Sequence, residues 1–243
     1  MRIHVPTAIR DVTALWKSRS PHEEDFLFFR RLAGGTPTLL DVGANAGQSA
    51  LSFTMACPWA SVVSFEPNVL YEPVLRYVRE HLLSPATFTY HLVGCGAVRG
   101  ELTLVVPYVD GTPYFGEASM RPEQFEVPWV RDRLASYGRE LTFQSTTVRV
   151  RPVDEFGLRP TVCKIDVEGH ELDVLEGMAA TIAACAPLFL IENNDYHRVT
   201  PWLAVRGYEP LVYDRARDDL VPMTAPTTNT FYVRAEHRRV AGG

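Results

Sequence analysis

Three groups of residues in this chain have the types and spacing for chemistry. The first is Leu39-Leu40-Asp41-Val42-Gly43-Ala44-Asn45-Ala46-Gly47-Gln48, an apolar run that breaks into a turn with glycines at 43 and 47. Missing side chains let a ligand approach the backbone, and a helix opening after the turn offers unpaired N–H groups. The second is Val63-Ser64-Phe65-Glu66-Pro67, which ends the next apolar run in an acid. That is about the spacing at which a carboxylate takes ribose hydroxyls in dinucleotide folds. The third is Val162-Cys163-Lys164-Ile165-Asp166-Val167-Glu168-Gly169-His170-Glu171, with Ile191-Glu192-Asn193-Asn194 ending the following run. Acids this close are costly to gather unless they meet a cation, a metal, donor groups or solvent.

The first two groups, in that order, favour nucleoside binding. Either alone reads equally well as a turn or a solvated strand end. Two common nucleotide loops do not fit. GxGxxG would need glycine where Asn45 stands, and Gly47-Gln48-Ser49 lacks both the lysine and the gap of a P-loop.

The elements that must position these groups alternate along the chain. Apolar runs at 38–42, 61–65, 86–94, 162–165, 188–191, 208–213 and 229–233 are separated by helical stretches near 46–57, 73–83, 170–184 and 196–206. Leu172, Leu175, Ala179 and Ile182 show the spacing of one buried helical face. This rhythm predicts a mostly parallel sheet covered on both faces. Upstream, Ser20, Pro21 and Glu23 have capping-box spacing before Phe26, Phe29 and Leu32, which predicts a helix over 20–33 within an N-terminal extension, residues 1–37. The domain proper is 38–243, interrupted at about 107–145 by an irregular insertion. There Pro107, Pro113, Pro122 and Pro128 alternate with aromatics such as Tyr108, Tyr114, Phe115, Phe125 and Trp129, as in a lid or binding loop.

Composition narrows the function classes. A formal charge of −5 and the lack of a basic stripe argue against nucleic acid as partner. Four scattered cysteines, with no CxxC pair, give no support for zinc or redox chemistry and read as buried structural thiols. No window reaches the roughly 20 apolar residues of a membrane span, and the first residues do not read as a secretory signal, so a cytoplasmic protein is expected.

Taken together, Asp41-Val-Gly-Ala-Asn-Ala-Gly47, Phe65-Glu-Pro67, Lys164-Ile-Asp-Val-Glu-Gly-His-Glu171, Leu175-Glu-Gly177 and Ile191-Glu192 resemble the FkbM-type methyltransferases over about 38–233. The resemblance implies a Rossmann-like class I methyltransferase fold: seven strands, mostly parallel, the last antiparallel. It implies S-adenosylmethionine as donor and O-methylation of a sugar, polyketide or related small molecule. Asp41, Gly43, Ala44, Asn45, Gly47 and Gln48 would form the methionine side of the pocket. Glu66 and Pro67 would meet the ribose, Cys95 and Gly96 would lie by the adenine, and Asp166 would stand near the transferring methyl group.

A hydroxyl acceptor benefits from a base. Asp166 is the first candidate, then Glu168 and Glu192, with His170 after them, although His170 reads more simply as a half-exposed helix start. Asn193, His197 and Tyr114 are candidate acceptor contacts. Asp166 and Glu192 could hold magnesium, although Asp166 could instead bind the methionine ammonium. Lys164 should pair with a nearby carboxylate. A nucleotide-dependent oxidoreductase, a non-catalytic nucleoside-binding domain and an N-methyltransferase are the competing readings. The insertion could cover its own pocket or a neighbouring subunit, which leaves a homo-oligomer open.

Overall fold

The computed structural model describes residues 5–32, 35–114, 117–225 and 227–237. Phe115 and the tail from residue 238 lie outside them. The chain opens with α1 (Val5–Ser18), whose Ala8 and Val12 are buried one turn apart. The helix expected over 20–33 is instead a run of 3₁₀ turns over Glu24–Arg31. No capping box forms, because Glu23 is extended and its carboxylate accepts from Asn229 Nδ2 at 3.1 Å. Phe26, Phe28 and Phe29 are buried there, and Phe26 and Phe29, three apart, meet edge to face.

Then follow β1 (Thr38–Val42), α2 (Gln48–Ala56), β2 (Ser61–Phe65), α3 (Glu72–Tyr77, prolonged by a π turn over Val78–Leu82) and β3 (Phe88–His91). A second unit is built from β4 (Gly94–Cys95), β5 (Gly100–Val109), β6 (Thr112–Pro113), α4 (Pro128–Ala135) and β7 (Leu141–Arg151). The chain returns through β8 (Val162–Ile165), α5 (Glu171–Glu176), α6 (Ala179–Cys185), β9 (Leu188–Glu192), α7 (Tyr196–Ala204), β10 (Glu209–Asp214), β11 (Asp219–Pro222) and β12 (Asn229–Val233).

The main sheet has the order β11-β10-β12-β9-β8-β1-β2-β3. The run from β9 to β3 is parallel, and β12 is inserted antiparallel between β9 and β10. These are the seven expected strands, with β11 added at the edge by a hairpin. The stretch 170–184 is two helices, α5 and α6, and between them Gly177 passes so close to the Gly96 carbonyl oxygen that a Cβ would fall 2.0 Å from it.

Alternation along the strands splits the core into two layers. Leu39, Val62, Val162, Leu190 and Phe231 pack under α1, the 3₁₀ turns, α2 and α3. Leu40, Val42, Cys163, Ile165 and Phe189 pack under α5 to α7. The N-terminal segment therefore belongs to the same core as the sheet. Among the described residues, no helix is long and apolar enough to cross a membrane.

The insertion is more regular than its prolines suggest. It spans 100–151 as a long antiparallel ribbon of β5 and β7, flanked by β6 and β4. Val105, Phe125, Val130 and Leu134 form a small core on one face of the ribbon, and Leu104, Val106 and Val148 form another.

Candidate active site

The register of the main sheet gathers the site. Asp41 stands beside Ser64 on one side and Lys164 on the other. Because side chains alternate, all three project to one face near the strand ends. In the turn that follows, Gly43 has a φ of 89°, and a Cβ there would lie 1.8 Å from the Asp166 carbonyl oxygen. Only glycine lets the ends of β1 and β8 come this close.

Asn45 is also left-handed, with a φ of 50°, a conformation asparagine tolerates better than most residues. Its N–H donates to Glu66 Oε2 at 2.8 Å, and Glu66 Oε1 accepts from the Asn68 N–H at 2.8 Å. Burial pushes the Glu66 carboxyl up to about 7 against the pull of these two donors. Asn68 Oδ1 accepts from the Leu70 N–H at 3.1 Å, and its buried Nδ2 has no protein partner. Gly43, Asn45, Glu66, Pro67, Asn68 and Tyr71 line a cavity of about 130 Å³, with Leu104 and Ala118–Met120 of the insertion and Asp166–Glu168 completing it.

Beside this cavity lies the acid cluster. Lys164 Nζ, almost fully buried, donates to Asp166 Oδ2 at 2.9 Å and to the Gly43 carbonyl at 3.3 Å, and stands 4.0 Å from Asp41 Oδ1. Burial would strip its proton, but the two carboxylates hold it firmly charged. Burial likewise opposes ionisation of Asp166, yet Lys164 and a hydrogen bond from Glu192 keep its carboxyl below the usual range. Glu192 is pushed up to about 9 by burial and by its bond to Asp166. At neutral pH Asp166 and Glu192 therefore share one proton, held on the Glu192 side. Burial also pushes the Glu168 carboxyl up, with help from Asp166, and Glu168 takes a left-handed φ of 56°, a cost that proteins tend to carry at functional sites. Asp166, Glu168 and Glu192 each offer an oxygen within 4.8 Å of the others. They are a donor set for a hard divalent ion, although Lys164 already supplies a positive charge there.

The N-terminal segment closes on the same place. His22 Nδ1 lies 2.8 Å from Ser52 Oγ, and burial, aided by Lys164, holds the imidazole down at about 4, so it is neutral. Asn229 Nδ2 donates to both Glu23 Oε2 and Asp25 Oδ2, at 3.1 and 3.0 Å.

Several expected residues stand elsewhere. Asp41 is fully buried behind the turn, accepting from Ser64 Oγ at 2.8 Å, so it shapes the turn and does not line the cavity. Ala44, Gly47 and Gln48 stay off the wall as well. Cys95 and Gly96 line a separate cavity of about 280 Å³ together with His170. His170 bonds Asp173 at 3.1 Å and lies outside the acid cluster, because it stands at the start of α5 on the side facing β4. Asn193 is tied down by Thr230 Oγ1 at 2.7 Å and by the Thr227 carbonyl. Tyr114 is buried against Tyr137, and His197 is exposed beside Tyr196. None of these three lines the cavity. In their place stand Asn68, Tyr71, Ser119 and Met120. Only Asn68, directly after Glu66-Pro67 and able to cap the next turn, carried a local signal. A third cavity, about 340 Å³, is lined by Arg121, Glu123, Val127, Glu168 and Asn194, so Glu168 borders it and the first.

Comparison with known proteins gives this geometry a context. A family model described as the methyltransferase FkbM domain matches residues 41–210. The solved structure of methyltransferase FkbM from Methylobacillus flagellatus KT is similar with a TM-score of 0.51 at 18% identity. That match covers 82% of this chain, which spans 44% of the length of the other. A precorrin-6y C5,15-methyltransferase from Geobacter metallireducens GS-15 gives a TM-score of 0.41 at 9% identity, covering 86% of each chain. An rRNA methylase from Streptococcus thermophilus gives 0.42 at 10%, covering 87% of this chain and 93% of its own. No curated protein matches.

Proposed function

The chain belongs to the FkbM methyltransferase family, and from that premise we propose that it transfers the methyl group of S-adenosylmethionine to a hydroxyl oxygen of a small, polyhydroxylated acceptor. The observation that carries this reading is Glu66. Its two oxygens are fixed by the N–H groups of Asn45 and Asn68, at the rim of a cavity that Asp166 also borders.

The residues present fit the cofactor. Glu66 keeps lone pairs for ribose hydroxyls, and the orphaned Asn68 Nδ2 is a donor awaiting an acceptor atom. Glu168, on the same wall, favours a cationic amino-acid end. When bound, the cofactor supplies a methyl group activated by its sulfonium. The protein's part is alignment, worth several kcal/mol of the barrier, together with management of the acceptor's proton. Asp166, ionised beside Lys164, holds the acceptor hydroxyl and takes its proton, while Glu192, already protonated, donates a hydrogen bond that keeps Asp166 charged until then.

The third cavity, walled by Glu168, Glu123, Arg121 and Asn194, offers hydrogen-bonding groups suited to hydroxyls, and its acids disfavour the phosphates of a nucleic acid. Magnesium at Asp166, Glu168 and Glu192 is a second reading, favoured by their mutual reach. Turnover unchanged by a chelator would remove it.

The test is calorimetric titration with S-adenosylhomocysteine, NAD and ATP. Micromolar binding of S-adenosylhomocysteine alone, weakened at least tenfold in Glu66→Ala, is expected. Failure of folded protein to bind it would leave a non-catalytic domain, and turnover of amines but not hydroxyls would reassign the nucleophile to nitrogen.

A further inference from the structure

A strand edge presents unpaired N–H and C=O groups that invite another strand, so monomers blunt their edges by shortness, charge, proline or cover. Most of this molecule obeys. The terminal strands β3 and β11 have four residues each, and β11 carries Asp219 and Pro222. In the smaller sheet the terminal strands β4 and β6 have two each.

β7 is the exception. One side of it pairs with β5 from Leu141 to Val150, but on the other side β4 reaches only Val150 and Arg151. From Leu141 to Arg149 no strand among the described residues takes that outer side, and Gln144, Ser145, Thr146 and Thr147 are exposed in succession. Nothing in the sequence blunts it. Leu141-Thr142-Phe143-Gln144-Ser145-Thr146-Thr147-Val148 contains no charge, no proline and no glycine, and its β-branched and aromatic residues favour extended chain.

We propose that the outer edge of β7 pairs antiparallel with the same edge of a second copy of this chain, joining two four-stranded sheets across a two-fold axis. The uncharged run is what selects a second copy. In a symmetric antiparallel contact each residue faces one equally far on the other side of the axis, so an edge with like charges at its centre or on both sides of it would repel its own copy. With the axis at Ser145, Gln144 faces Thr146, Phe143 faces Thr147, Thr142 faces Val148 and Arg149 faces Leu141, with no like-charged pair.

The test is light-scattering mass over a dilution series for wild type and for a Ser145→Lys/Thr147→Lys variant, which sets lysines against one another at the axis. Wild type at twice the monomer mass is expected, falling twofold in the variant while circular dichroism and S-adenosylhomocysteine binding stay unchanged. A wild type monomeric throughout the series would overturn the proposal, as would a variant that stays dimeric. Should the variant lose its fold, amide exchange on wild type decides. On the amides of 141–149 that point away from β5, protection that appears only as protein concentration rises supports the pairing, and the same protection at every concentration overturns it. The outcome does not depend on the cofactor assignment, which calorimetry tests separately.

Discussion

The ends of the main strands and the insertion face each other across one cavity, and they are held in different ways. At the strand ends, fixed backbone groups do the holding: Glu66 on the N–H groups of Asn45 and Asn68, Lys164 on the Gly43 carbonyl, and the turn at Gly43 against the Asp166 carbonyl. In the insertion, Asp110 accepts from the N–H groups of Arg139 and Glu140, but on the wall side the contacts are arginine–carboxylate pairs such as Arg131–Glu126 at 3.5 Å and Arg121–Glu123 at 3.1 Å, which contribute little. Its cores are small patches on a ribbon. The difference teaches a division of labour. One side is preorganised to recognise a constant ligand. The other is a wall built on a ribbon, with Leu104 and Ala118–Met120 facing the fixed strand ends across a cavity of about 130 Å³.

A matched pair of glycine changes puts the largest strain on this comparison. Gly43→Ala drives a methyl group into the Asp166 carbonyl and is expected to cost more than about 4 kcal/mol. Gly111→Ala, in the insertion, has a similar positive φ of 70° but open space around it, and should cost only about 1–2 kcal/mol. Thermal denaturation measures both. Equal losses would mean that the two regions are equally rigid.

The next effect is kinetic. Asp166→Asn keeps the shape of the acid cluster but removes its ionised member, and kcat is expected to fall by about 10²–10⁴. Met120→Ala, across the cavity from Glu66, should move the KM for S-adenosylmethionine and leave kcat within about threefold, since it removes binding that does not change in the transition state. A kcat loss in Met120→Ala as large as that in Asp166→Asn would end the division of labour.

The same contrast decides what the sequence made legible. Strand ends, glycine turns and acids at fixed offsets are local, so Gly43, Asn45, Glu66 and Asp166 could be read from spacing, and the structure gathers them on one cavity. The grouping of His22, Glu23 and Asp25 with Asn229 could not, because nothing local links residues some 200 positions apart. The depth of Asp41 is not legible either, because alternation fixes its face but not how far it lies behind the turn. In the insertion, prolines masked the ribbon. Pro107 lies inside β5, yet its carbonyl accepts from the Tyr114 N–H at 2.8 Å, at a hairpin whose partner strand, β6, has only two residues. There its missing N–H costs little. β11 was overlooked because four residues ending in proline carry almost no pattern.

The smallest expected effect is also the most selective. Glu66 is held at about 7, so its carboxyl changes charge within the working range. Only the ionised form is a pure acceptor for ribose hydroxyls, so affinity for S-adenosylhomocysteine should rise with pH and level off above about 7. Below that point, apparent Kd should weaken by up to about tenfold per pH unit, in proportion to the loss of the competent form. His22, held down at about 4, and Glu192, pushed up to about 9, lie outside the middle of this window, and the Glu66→Gln profile separates Glu66 from Glu168, which burial also pushes up. Glu66→Gln, uncharged at every pH, should bind more weakly and with a flat profile, whereas Met120→Ala should keep the wild-type slope. Calorimetry from pH 5.5 to 8.5 on the three proteins separates the outcomes. A slope that survives in Glu66→Gln would place the titrating group elsewhere, and a slope lost in Met120→Ala would mean that the wall, and not the strand ends, sets the charge of the ribose site.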